Sequence, residues 1–570
     1  MSSAMLARLA LACVAAVLGG FSLYRSVASP ASATAESSRA LDDTQAGSKS
    51  RAVRWLRILV LSWCALWAVI WLAIALLRLR YPVELEWCGG AMRDHCERIQ
   101  AGLPLYAAPG PDWIPYEYPP LYFWASALLM RALHDGSFMS MRAVSTMSTI
   151  GSAAVLYLWV RHSTRSAAGR TWGAIAAGVF LATYRFTGAW YDVERLDMLF
   201  LLFALLGGYW LDLACGLSAD RTNRTYRANT IDQPDERSGR SSGAAPEGRA
   251  IALVLLSAIA YWLAFLTKQQ AVLFLFGSVA ALAWSRQWRK LALFSAVSAL
   301  LCLGSVALLN RVTDGWFGYY CFRVPLANGI RLNLAAQYFT TDLPLYAPLL
   351  ALIAVRLILT RHPARNPQHS TVSRPAATWC LMGLLGSLLS RAHWGGDQNV
   401  LMAGFIAITL AACMLAARLE ATSQRRAAPL LALVFAQLIV LVYRPDAQVP
   451  SFANRDAGTR YAAAVSKLEQ QGEVLCLDHG AVTSPRHFHL MALLDVVGTE
   501  KGLPPSLMQA LKSRRFSAIL TDAKPAPGGA LDALTANYIP AECLNIDTPW
   551  VVTGFPTPDK GRPVWILRPK

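Results

Sequence analysis

Long apolar runs separated by short polar segments dominate this chain, at roughly residues 55–78, 142–160, 171–188, 197–215, 251–267, 270–284, 291–309, 345–360, 376–390, 399–416 and 428–443. A helix of about 20 apolar residues crosses a bilayer core, so this pattern predicts about eleven transmembrane helices. An earlier apolar stretch, residues 5–24, carries only Arg8 and leads into a Ser/Ala-rich segment. It reads as a twelfth helix in preference to a signal or an upstream start. Residues 118–135, PPLYFWASALLMRALHDG, are short, aromatic at the start and amphipathic later, which predicts a helix lying in the membrane interface. The polar stretches 25–50 and 218–249 read as disordered cytoplasmic linkers. After Tyr443 the long runs stop. Short β-like segments (EVLCLDHG, SAILTD, VWILRP) alternate there with helical ones (AGTRYAAAVSKLEQ, LPPSLMQALKSRR), the pattern of a small α/β domain. Asp478 and His479 in CLDHG have no phosphate-binding glycine pattern beside them and read as structural.

Composition agrees: of 570 residues 55% are hydrophobic and 15% charged, which excludes an ordinary soluble enzyme. The formal net charge of +18 reports topology, because the arginines gather in every second loop. Arg51 and Arg54, Arg161 to Arg170, Arg221 to Arg249, Arg286 to Lys290, Arg361 to Arg374, and Arg418 to Arg426 mark those loops. By the positive-inside rule they are cytoplasmic, and the alternate loops and everything after Tyr443 face the other side. The charge is no argument for nucleic acid. The fold class expected is an all-α polytopic membrane protein with interfacial helices in the first outer loop and a small C-terminal α/β domain on the outer face. Its parts are 1–54, 55–443 and 444–570.

The outer loop Tyr81 to Trp124 carries six acids, Glu84, Glu86, Asp94, Glu97, Asp112 and Glu117, against Arg93 and Arg98. Acids next to a bilayer point to cation binding or deprotonation of an acceptor. Glu84 and Glu86, two apart in an extended segment, point to the same side and share a cation or a hydroxyl, or are merely solvated. In WYDVERLDMLF, Asp192, Glu194, Arg195 and Asp197 open the fourth span, where helix capping by Asp197 competes with function. Lys268, with Gln269 and Gln270, breaks two spans in FLTKQQ and either snorkels or holds a lipid phosphate. RAHWGGDQN supplies Arg391, His393, Asp397 and Asn399 for phosphate or sugar contacts. Tyr116, Tyr118 and Tyr122 stack on sugars or belong to an interfacial belt. Spacing leaves Cys88 and Cys96 as free thiols by preference.

The order of these motifs, from the acidic loop through GLPLYAAP, EYPPLYFW, WYDVERLDMLF and FLTKQ to HWGGDQN, resembles the membrane glycosyltransferases of the C-type superfold, relatives of protein O-mannosyltransferases and of the lipid A aminoarabinose transferase. The resemblance covers Trp55 to Tyr443. It implies a polyprenyl-phosphate sugar donor, an extracytoplasmic active face in a bacterial inner membrane, inversion at the anomeric carbon, and a lipid, glycan or protein acceptor. Glu86 or Glu84 is then the base or a ligand of a divalent metal (Mg or Mn), with Asp197 the second acid and Asp192 a further match. Lys268, Arg195 and Arg391 are the cations for the donor phosphate. Gly89 stands where relatives place an acid, which makes Glu86 its substitute. A transporter or lipid-handling protein is the alternative, although no internal repeat supports it.

Overall fold

A computed structural model of the chain describes residues 3–28, 39–164, 166–230, 244–327, 329–360, 372–393, 395–477, 484, 486–521, 536–544 and 565–570. The helices, in chain order, begin with α1 (Ser3–Ala28), α2 (Arg39–Leu79), α3 (Gly89–Gln100), α4 (Leu121–Leu133), α5 (Met139–His162), α6 (Ala167–Ala182), α7 (Asp197–Thr230), α8 (Ala244–Thr267), α9 (Ala271–Trp284) and α10 (Trp288–Val312). Three short pieces follow, α11 (Trp316–Gly318), α12 (Val324–Ala327) and α13 (Leu332–Gln337), and then α14 (Ala347–Thr360), α15 (Arg374–Arg391), α16 (Met402–Thr422) and α17 (Ala427–Val440). Among the described residues, eight helical segments are long and apolar enough to cross a membrane by length and composition. With the shorter α6, α9, α15 and α17, every apolar run expected from the sequence is a helix.

Lipid gives helices no hydrophobic reason to associate, so close packing of small residues has to hold them. A Cβ on Gly207 of α7 would lie 2.7 Å from the ring of Tyr261 on α8, and the backbones approach there because no side chain intervenes. Nearby, Trp379 Nε1 donates to Ala204 O at 2.9 Å. α16 is buried along almost its whole length and forms the centre of the bundle.

A second hydrophobic core lies beside the helical one. It joins residues of the first loop, among them Met92, Tyr116, Tyr122 and Phe123, to Leu475, Phe488, Leu493, Leu507 and Leu567 from the end of the chain. That end is built from α18 (Phe452–Glu469), β1 (Val474–Cys476), α19 (Leu490–Glu500), α20 (Pro505–Lys512), β2 (Ala518–Thr521), β3 (Tyr538–Cys543) and β4 (Trp565–Pro569). The sheet order is β1-β2-β4-β3, with β1 parallel to β2 and the other pairs antiparallel. The α/β domain expected after Tyr443 is therefore present, with β3 and α19 in addition. β3 escaped sequence reading because Pro540 interrupts YIPAEC, and proline argues against a strand unless it lies at an edge, where β3 is. The stretches expected as linkers are partly helical: α2 starts at Arg39, α7 runs to Thr230 and α8 starts at Ala244; residues 39–50 and 218–230 contain no proline, and alanine and arginine favour helix. Asp478 and His479 lie outside the described residues.

Candidate active site

Three buried ion pairs fix the first loop onto the turn that opens α7. Arg78, at the end of α2, lies 3.1 Å from Asp192, and Asp192 also accepts from Tyr184 Oη at 2.8 Å. Burial pushes Asp192 up to about 6, against the pull of Arg78 and Arg142. Arg142 Nε donates to Glu194 Oε2 at 2.6 Å, and its remaining N–H groups reach the carbonyls of Arg78, Tyr81 and Val83 at 3.2, 2.5 and 2.7 Å. Leu85 N donates to the other oxygen of Glu194 at 2.8 Å. One arginine thus caps the end of α2 and holds the loop that leaves it.

Among the described residues, Arg78 Nε and Nη2 and Asp192 Oδ2 lack hydrogen-bond partners in the first pair, and the third pair is the least satisfied. Arg195 Nη1 lies 3.4 Å from Glu86 Oε1, and neither carboxylate oxygen of Glu86, nor Nε or Nη1 of Arg195, makes a hydrogen bond of good geometry, although the Cys88 backbone N–H also favours the charged carboxylate. Glu86 is fully buried. Burial raises its carboxyl to about 7, against the pull of Arg195. The Arg195 guanidinium is held by the rings of Trp190 and Tyr118, 5.0 and 5.6 Å from their centroids, and it donates to Tyr118 Oη at 3.3 Å.

Beyond Arg195 opens a cavity of about 880 Å³. Arg195, Lys268, Tyr116, Tyr118, His393, Asp397 and Asn399 line it, so seven of the residues expected from sequence meet there. Lys268 Nζ donates to Asp197 Oδ1 at 2.7 Å, Asn399 Nδ2 donates to the same oxygen at 3.3 Å, and Asp197 Oδ2 has no partner. Asp197 therefore sits at the head of α7 as a holder of Lys268. Asp397 accepts from Gln398 N at 2.7 Å, and burial raises its carboxyl. Six expected residues do not line the cavity: Glu84, Glu86 and Asp197, and three whose partners hold them elsewhere. Tyr122 donates to Met141 O at 3.2 Å, Asp192 is in the frame described above, and Arg391 is occupied by Asp342 at 2.9 Å, Gly396 O at 2.7 Å and Gln337 at 3.3 Å.

The six loop acids divide by task. Glu84 accepts from Gly90 N at 2.8 Å, in the first turn of α3. Asp94 accepts from Ser484 N at 2.8 Å and from His487 Nδ1 at 2.7 Å, tying the loop to the C-terminal segment; although burial opposes the charge, Asp94 lifts His487 well above the usual histidine range. Glu97 pairs with Arg93 at 2.8 Å, and Asp112 pairs with Arg515. Only Glu86 and Glu117 are left for chemistry. Glu117, which the sequence does not single out from the other loop acids, lines the cavity and has one oxygen without a partner. Enclosure raises it to about 8, helped by Asp495 of α19 and opposed by Lys268. Gln269 fixes its backbone, donating to Glu117 O and to Cys321 O. Cys88 and Cys96 are both free; Tyr116 Oη donates to Cys88 Sγ at 3.0 Å.

No group of three His, Cys, Asp or Glu among the described residues is placed to hold a metal ion. Two of the central acids, Glu86 and Asp197, each face a cation. This donor set does not fit Mg or Mn, which take several oxygen ligands.

A comparison with protein families and one with curated proteins found no match. Among solved structures, ArnT from Cupriavidus metallidurans in the apo state superposes with a TM-score of 0.51 at 12% identity, covering 86% of this chain and 97% of that one. The same protein bound to undecaprenyl phosphate gives 0.51 and 12%, covering 87% and 97%. An Archaeoglobus fulgidus oligosaccharyltransferase in complex with Zn and sulfate gives 0.42 and 13%, covering 85% and 72%. At such identities the likeness is one of fold, and it is the C-type fold that the order of motifs implied.

Proposed function

We propose that this chain, built on the C-type fold, is a membrane glycosyltransferase that moves a sugar from a polyprenyl-phosphate-linked donor to a lipid, glycan or protein acceptor on the extracytoplasmic face. The observation that carries the reading is the meeting of Arg195, Lys268 and Glu117 in one cavity, with the unpartnered Glu86 carboxylate directly behind Arg195. The ArnT structure of the same fold holds undecaprenyl phosphate, a ligand of the donor's class.

The donor phosphate lies between Lys268 and Arg195. Lys268 spends one of its three donors on Asp197, and Arg195 has two nitrogens without partners. Both therefore have N–H groups to give to the charge that develops on the leaving phosphate. The prenyl tail leaves along the apolar wall formed by Phe322, Leu326, Leu334 and Leu389. Tyr116 and Tyr118, stacked 6.1 Å apart, offer ring faces to the sugar. An acceptor hydroxyl attacks the anomeric carbon opposite the phosphate. The C–O bond to phosphate breaks with its electron pair, the configuration inverts, and the hydroxyl proton passes to a carboxylate. Glu86 is that base. A phosphate that draws Arg195 forward uncovers it, and loss of the neighbouring cation makes it more basic. Glu117 and Asp397 orient the acceptor.

The test is transfer from radiolabelled polyprenyl-phosphate sugars in membranes carrying wild type, empty vector or the Glu84→Gln, Glu86→Gln double variant. Label moves to product only with wild type, and the donor that works names the sugar. No transfer from any donor, with the protein present and an extract of envelope acceptors supplied, sinks the reading in favour of a transporter.

A further inference from the structure

The other end of the helices carries a second cavity, of about 910 Å³. Asp212, on its floor, is fifteen residues along α7 from Asp197, about 22 Å at 1.5 Å per residue, so the two cavities are separate. The positive-inside rule accounts for arginines near helix ends but does not require them to converge on one space. Here four of them, from four different helices, line one cavity: Arg161 from the end of α5, Arg170 from the first turns of α6, Arg249 from the start of α8 and Arg418 from the end of α16. Arg418 has a structural task, donating to Ser163 O at 3.2 Å. Arg161, Arg170 and Arg249 are exposed, and none of them has a carboxylate partner among the described residues. Among the described residues the one acid in the wall, Asp212, accepts from Trp159 Nε1 at 2.8 Å and offsets only one of the four charges. The N-terminus of α6 opens onto the same space through Ser166 and Ala167, adding unpaired backbone N–H groups and the positive end of a helix dipole. Leu213, Leu217 and Leu253 make one side apolar.

We propose that this cavity binds the phosphate headgroup of an anionic membrane lipid, with Arg161, Arg170 and Arg249 on the phosphate oxygens and the leucine side against the first carbons of the chains. The site is distinct from the transfer cavity and stands whether or not the glycosyltransferase reading does.

Native mass spectrometry of the full chain in detergent reads it directly, with dioleoylphosphatidylglycerol, dioleoylphosphatidylcholine and inorganic phosphate as probes. Phosphatidylglycerol is expected to be held about tenfold more tightly than phosphatidylcholine, and the triple variant Arg161→Gln, Arg170→Gln, Arg249→Gln to lose that preference. The corresponding triple lysine variant, which keeps the charge, retains most of it. An unchanged thermal midpoint of the glutamine variant without lipid shows that the fold is intact; if it drops, wild type and the lysine variant carry the test at rising ionic strength, where a phosphatidylglycerol preference that does not fall with salt in either overturns the site. Equal phosphatidylglycerol occupancy in wild type and the glutamine variant overturns the site. Arginine-dependent protection by inorganic phosphate without any lipid preference keeps the site but overturns the lipid as its source.

Discussion

Two buried glutamate–arginine pairs lie side by side under the first loop, built from one short turn, and they do opposite work. Glu194 and Arg142 are saturated: the pair closes at 2.6 Å, Leu85 N takes the second carboxylate oxygen, and backbone carbonyls take the rest of the guanidinium. Glu86 and Arg195 stand 3.4 Å apart with two oxygens and two nitrogens unpaired. Burying a charge costs several kcal/mol unless its partners are complete, so the first pair is an investment in the frame. The second is a cost that the frame sustains, and such residual polarity beside a cavity is where reactivity is kept.

The sharpest way to break that comparison is to neutralise one acid of each pair. Glu86→Gln removes the base and should lower transfer by about 10²- to 10⁴-fold while leaving the thermal midpoint at neutral pH unchanged or higher. Transfer within threefold of wild type, with donor and protein amounts matched, would remove Glu86 from the mechanism. Breaking the saturated pair acts on stability: Arg142→Met leaves Glu194 buried without its cation and should cost about 3–5 kcal/mol, read as loss of folded protein in detergent. The double variant Arg142→Met, Glu194→Gln should recover much of that loss, because the uncompensated charge is gone.

pH separates the pairs next. Burial pushes Glu86 up to about 7 in the free protein, and a base must be unprotonated, so kcat/KM for transfer, which reports the free enzyme, should rise tenfold per pH unit below about 7 and level off above it. A limb near 8 that disappears in Glu117→Gln would hand the role to Glu117, whose carboxyl is held at about 8. Stability runs the other way. Between 4.5 and about 7 folded Glu86 keeps a proton that the unfolded chain has lost, so this group makes the protein less stable as pH rises through that window. Glu86→Gln should abolish that slope and overtake wild type in thermal midpoint at pH 8.

Much of this was legible in the sequence and some was not, for identifiable reasons. Apolar runs made the helices plain because length and hydropathy suffice for them. The order of polar breaks brought Lys268, Arg195, His393, Asp397 and Asn399 to one cavity. Arg142 was hidden because it opens an apolar run and reads as the edge of a span; only the folded loop shows three carbonyls and a glutamate converging on it. Glu117 was hidden between tyrosines and prolines in PYEYPP. Its neighbours Asp495 and Lys268 come from distant parts of the chain, and no local spacing announces such a meeting. Arg391 and Tyr122 had the right composition for a site, but their hydrogen bonds are already taken.

Glu84 supplies the mildest and most discriminating case, since two residues of spacing made it the equal of Glu86. Its carboxylate accepts from Gly90 N, where the first turn of α3 leaves backbone donors without intrahelical partners. A glutamine still offers a carbonyl oxygen to that N–H, so Glu84→Gln exchanges a charge-assisted bond for a neutral one and should cost about 1 kcal/mol of stability. Transfer should stay within about threefold of wild type, the change being too small to move Glu86 out of line. The measurement is a midpoint and an initial rate on the same membranes. A loss near that of Glu86→Gln, with the midpoint hardly moved, would mean that α3 presents Glu84 to the acceptor once the donor is bound; the saturated carboxylate would then be the reactive one.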